Sequence, residues 1–207
     1  LKAGCSWKPE LYAYKDKTQF FAFITATGYV TTESQCWQIA GPANFVPNYD
    51  EETFTIFAGK KDLEFYHFVG EMDQHDIERM DYIHMELPRF RLFKDAWRYV
   101  EGFNTSIAST CQSHHVMEHR FLGRYSMGWN VGAGPSVIGT HIHPDLDQWY
   151  IILPGGSMTY TADGEPTHVS EGDVTYTGMN TPHGSEIAAD EKINYFWVEC
   201  AINGYAS

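Results

Sequence analysis

Residues 139–155 read GTHIHPDLDQWYIILPG, and residues 172–183 read GDVTYTGMNTPH. In an extended strand, residues i and i+2 point to the same face, so His141 and His143 face one side while Ile142 faces the other. A Pro144-Asp145 turn then leads into a strand that carries Gln148. His183 follows one hairpin later. If the strands close on each other, three imidazoles and one amide oxygen meet in one place, a donor set suited to a first-row divalent metal.

The hairpin between these motifs is legible in SMTYTADGEPTHV, residues 157–169. Asp163-Gly164 supplies the positive-φ turn and the flanks alternate. NYFWVEC, residues 194–200, reads as a closing strand. Elsewhere, short runs of Val, Ile, Thr, Tyr, Phe and Trp are separated by Gly, Pro, Asp and Asn, so the chain reads as all-β. Residues 102–125 are polar and carry His114, His115 and His119. They read as a connection with one short helix.

The two motifs resemble those of the cupin family: His-x-His, a Glu four or five positions on, and a Gly, followed by a Gly…Pro-x-Gly…His motif. The spacing is kept, with three departures. Gln148 stands in the Glu slot, Gly178 replaces the Pro and Asn180 replaces the second Gly. The last two are turn positions, and Asn tolerates positive φ. The resemblance implies a jelly-roll barrel holding one divalent metal on His141, His143, Gln148 and His183, with Fe(II) favoured and Mn, Ni, Zn or Cu also compatible. A neutral Gln148 leaves such a centre at +2, a stronger Lewis acid than the usual Glu gives. Glu in its place is expected to tighten metal binding if residue 148 is a direct ligand.

The first half repeats the frame. Residues 41–59 read GPANFVPNYDEETFTIFAG, which places Phe45, Pro47, Glu52 and Gly59 at an equal offset from His141, His143, Gln148 and Gly155. Trp37-Gln38-Ile39 echoes Trp129-Asn130-Val131, and Pro88-Arg89 stands opposite Pro182-His183. The chain therefore resembles a bicupin, two cupin-type barrels in tandem. Residues 1–101 form a degenerate barrel without metal ligands, 102–125 the connection, and 126–207 the metal-binding barrel. His75 and His84 are placed on strands of the first half in structural roles, and Arg89 is expected to pair with an acidic neighbour.

Composition bounds the function. The formal charge of -13, from 14 Lys+Arg and 27 Asp+Glu, argues against nucleic acid and anionic membrane as partners. No apolar run approaches a membrane span of roughly 18 residues. The cysteines Cys5, Cys36, Cys111 and Cys200 are dispersed, without a Cys-x-x-Cys pair, which indicates neither a zinc knuckle nor a disulfide framework. A soluble protein is expected, with the cytoplasm favoured, although the chain begins at Leu1 rather than Met, which leaves room for a removed leader. Cupins commonly form dimers, and the resemblance implies a homodimer here.

Tyr150 lies two residues beyond Gln148 on the same face and is the candidate catalytic acid or base. Tyr176 and Trp129 are expected to line the same cavity, while Trp149 faces outward. His114, His115 and His119 lack metal-ligand spacing. The leading functional expectation is an Fe(II) dioxygenase acting on a small chelating organic molecule. The alternatives are a non-oxidative lyase or isomerase with Tyr150 as general base, and a small-molecule binding protein without catalysis.

Overall fold

The turn-punctuated runs of aromatic and β-branched residues form strands throughout the computed structural model, which describes residues 1–80, 82–83, 86–104 and 107–205. The chain divides into two units, Leu1–Ala96 and Trp97–Ser207. In the first, the strands are β1 (Ser6–Trp7), β2 (Lys17–Phe23), β3 (Tyr29–Thr32), β4 (Cys36–Gln38), β5 (Ala43–Val46), β6 (Phe54–Phe57), β7 (Phe65–Glu71) and β8 (Arg89–Leu92), with helix α1 at Gln74–Met80. They make two four-stranded sheets, ordered β1-β6-β3-β4 and β7-β2-β5-β8.

The core of this unit is aromatic. Phe21, Phe45 and Phe54 are fully buried and pack with Phe65, Trp37 and Phe90. Phe54 meets Phe45 edge-on at 5.2 Å and Phe21 at 5.5 Å. Each such ring contributes roughly 1.5–3 kcal/mol of burial free energy.

The second unit holds β9 (Trp97–Tyr99), β10 (Gln112–Leu122), β11 (Tyr125–Ala133), β12 (Ser136–His141), β13 (Leu146–Ile152), β14 (Ser157–Ala162), β15 (Glu165–Ser170), β16 (Val174–Thr177), β17 (His183–Ile187) and β18 (Lys192–Ala201). A six-stranded sheet runs β16-β13-β18-β11-β10-β9 and a four-stranded sheet runs β12-β17-β14-β15. The β14–β15 hairpin closes at Ala162 and Glu165, with Asp163 at φ 50° and Gly164 at φ 81°, the two-residue turn that Asp-Gly favours. Between the sheets lie Ile138, Tyr150, Ile152, Met158, Tyr160, Val169, Tyr195 and Trp197. Gly128 pairs with Trp197 across β11 and β18, and a Cβ there would fall 2.1 Å from the Trp197 ring, so only glycine lets that indole lie over the sheet.

Three expectations change. The range 102–125 is more than a connection: among its described residues are a 3-10 turn at Gly102–Asn104 and the eleven-residue β10, paired with both β9 and β11. Their polarity suggested a loop, but β10 buries Ser113, Val116, Met117 and Leu122 and leaves His119 half-exposed, and a register break between His115 and Met117 blurs its alternation. The boundary also moves, because residues 97–101 belong to the second unit. His75 lies on α1, not a strand; His84 lies outside the described residues.

Candidate metal centre

β12 ends at His141, and the chain leaves the sheet so that His143 sits just past the strand while Ile142 is 51% exposed. β17 begins at His183, directly opposite His141 in the antiparallel pair. The loops of the two motifs are tied together where the Asn180 backbone N–H donates to His143 O at 2.8 Å. Asn180 takes φ 61°, the conformation that glycine takes without strain. Among the described residues, the one group of three His, Cys, Asp or Glu side chains spaced to hold an ion is His141, His143 and His183, whose ligand atoms lie within 4.8 Å of one another.

Two of these rings have their tautomer set by the same device. His141 Nδ1 donates to Gly139 O at 2.8 Å and His183 Nδ1 to Thr181 O at 3.0 Å, each a carbonyl two residues upstream. Burial pushes both imidazoles below their ordinary pKa, His141 to about 4, so the neutral form with an Nε2 lone pair is favoured. Gln148, 4% exposed on β13, donates through Nε2 to Glu199 Oε1 at 2.8 Å and turns its Oε1 to within 3.0 Å of His183 Nε2. Two lone-pair acceptors thus face each other. His143 Nε2 is buried and has no hydrogen-bond partner. A buried polar atom left without a partner costs about 1–3 kcal/mol, and one shared cation would satisfy all three atoms. The residues therefore fit a divalent first-row metal on three imidazoles and an amide oxygen.

Burial of neutral imidazoles has a pH consequence. His141 titrates near 4 in the folded chain against 6.5 ordinarily, so between those values the unfolded chain binds more protons. Stability of the metal-free protein is expected to fall as pH drops from about 6.5 to about 4, a loss that denaturant midpoints across this window would record. A flat profile would mean that His141 is not buried in its neutral form.

The cavity beside the histidines is small, about 20 Å³, close to the room that one ion or one water needs. Tyr150 lines it, 3% exposed, stacked on Tyr195 at 4.4 Å. Burial drives its phenol well above the ordinary pKa, and Tyr195 nearby adds to this. At neutral pH it is thus a proton donor, the opposite state from a base. Phe103 lies flat on His141, ring centroids 3.8 Å apart, and Asn104 Oδ1 accepts from the Gly139 N–H.

Tyr176 and Trp129 do not line the cavity. Tyr176, 58% exposed, packs against Trp149 on the outer face of the sheet, and Trp129 donates to Asn194 Oδ1. Three carboxylate or imidazole groups near the centre were not anticipated: Glu101 and Glu199 line the cavity, and His119 lies 3.2 Å from Glu199. A single carboxylate inside the apolar run of β18 was the available signal for Glu199. In the first unit, Glu52 does not take the place of Gln148. It sits in the turn before β6 and accepts from the Ser34 N–H and hydroxyl at 2.9 and 2.8 Å. Phe45 is paired with Phe90, not with Arg89. All four cysteines are free.

Residues 129–199 match the family model described as the cupin domain. The match lies within the second unit. No curated protein matches the chain. Among solved structures, the chain is similar to a cupin 2 conserved barrel domain protein from Leptotrichia buccalis, at TM-score 0.62 and 16% identity over 97% of this chain and 80% of that one. It is similar to an oxalate decarboxylase from Lactobacillus farciminis, solved as a formate complex, at TM-score 0.67 and 12% identity over 98% and 77%. Protein Ylba from E. coli gives TM-score 0.70 at 11% identity over 100% and 76%. At these identities the likeness concerns fold. No described helix is long and apolar enough to cross a membrane.

Proposed function

We propose that the cupin unit is a mononuclear metal centre that acts on a small chelating organic molecule, and that its reaction is that of an Fe(II) dioxygenase. The observation that carries the reading is the buried, partnerless His143 Nε2 beside two further nitrogen donors and the Gln148 oxygen. When bound, the iron supplies Lewis acidity and one-electron chemistry toward O2. His141, His143, His183 and Gln148 hold it. Tyr150 presents a protonated phenol to the cavity and orients substrate or delivers a proton there. Phe103 and Trp197 line the cavity and exclude water from it.

The second reading is a non-oxidative lyase or isomerase using Mn, Ni or Zn, in which the protonated Tyr150 hydroxyl moves a proton. Its support is the phenol's place at the cavity wall and the similarity to an oxalate decarboxylase fold. Anaerobic turnover separates the two: retained activity removes the dioxygenase. A natively purified protein that carries no metal and takes none up removes both. For Tyr150→Phe, we expect turnover to fall by about 10²–10⁴-fold with metal content unchanged; a normal rate would return Tyr150 to the core.

The first unit reads as a cupin barrel that has lost its site, which would make the chain a bicupin. In support, Phe45 faces Phe90 across β5 and β8 as His141 faces His183 across β12 and β17, so rings fill the equivalent place.

A further inference from the structure

Gln148 is a neutral residue whose two faces are chemically unequal, and something must decide which one meets the metal. β18 lies between β13 and β11, and Glu199 stands directly opposite Gln148 on one side and Ser126 on the other. Glu199 is 4% exposed and accepts from Gln148 Nε2 at 2.8 Å and from the Ser126 hydroxyl at 3.0 Å. His119 Nε2 lies 3.2 Å from its Oε2.

We propose that Glu199 is a positioning residue of the metal centre: its buried carboxylate locks the Gln148 amide with its oxygen toward His183 and supplies, one strand away, the negative charge that residue 148 lacks. This rests on the metal-centre reading above. The lock is electrostatic. Rotating the amide would set its oxygen against the carboxylate, whereas the present orientation gives a charge-assisted hydrogen bond. Were Glu199 neutral, Gln148 could instead turn its NH2 toward His183 Nε2, and that N–H···N bond would occupy the lone pair the metal needs. The donor set of three imidazoles and an amide brings no charge, so one carboxylate in contact with it offsets half of a +2 ion's charge.

The test is Co(II) titration of the purified full chain, followed by calorimetry and by the visible ligand-field spectrum, for wild type, Glu199→Gln and the exchange Gln148→Glu with Glu199→Gln. Glu199→Gln should bind Co(II) about 10–100-fold more weakly, the range carried by partners of metal ligands, with an altered spectrum. The exchange variant, which keeps one carboxylate and one amide in the same pair, should recover affinity to the wild-type level or beyond. Wild-type affinity and spectrum in Glu199→Gln would overturn the inference while leaving the metal centre standing. Absence of Co(II) binding in wild type would overturn both. Where Glu199→Gln does not fold, the exchange variant decides: folded but unable to bind, it refutes the positioning role.

Discussion

His183→Ala is expected to abolish stoichiometric metal in the purified protein, as measured by elemental analysis. The ring supplies the Nε2 that faces Gln148 Oε1 at 3.0 Å, and it starts the strand paired with β12, so no neighbouring side chain can replace it. Loss of one of three imidazoles should exceed the ~10–100-fold that outer partners carry. Because His183 is 1% exposed and donates to Thr181 O, its removal also opens a cavity and strands a carbonyl. His143→Ala is the cleaner companion, since His143 Nε2 makes no hydrogen bond that the fold would lose. Both variants should lose metal. Full occupancy in either would mean that the ligand set is misassigned.

Gln148→Glu is the second large effect, and here the tertiary structure adds a cost in stability that the motif does not show. From the motif alone, a glutamate should bind metal more tightly. With Glu199 2.8 Å from the Gln148 amide nitrogen, the new carboxylate would lose a charge-assisted hydrogen bond and face a buried anion. The metal-free variant should be destabilised by about 3 kcal/mol at neutral pH, the scale of an uncompensated buried charge. The pair would then share a proton, which raises an apparent carboxyl pKa in the folded chain. A raised folded pKa means that the native state binds more protons than the unfolded one, so this penalty should shrink as pH falls toward the carboxylate range and grow as pH rises. Thermal melts of the metal-free variant against wild type between about pH 5 and 8 measure this. Equal melting temperatures at pH 8 would show that residues 148 and 199 are not in contact.

The comparison of the two variants shows how sequence and structure divide. His-x-His spacing places two imidazoles on one face because side chains alternate along an extended chain, and Asp163-Gly164 specifies its hairpin because both residues accept positive φ. Such local rules made the all-β class, the β14–β15 hairpin and the closing strand legible. They failed on β10, where histidines on a half-exposed strand resemble a loop, and on Glu52, where an equal offset in sequence did not survive an unequal turn.

The local part is written in the chain: which residues alternate toward one face, where turns fall, and that His141, His143, Gln148 and His183 carry matched spacing. Which strands lie side by side emerges with the packed fold. β18 between β13 and β11 brings Glu199 to Gln148 across 51 residues and to Ser126 across 73, and β10 adds His119. The same packing turns Tyr176 outward and seals Tyr150 against Tyr195. Alternation along a strand fixes only the face a side chain takes, whereas the neighbour it meets there depends on strand order and register, which are set by burial of the whole core.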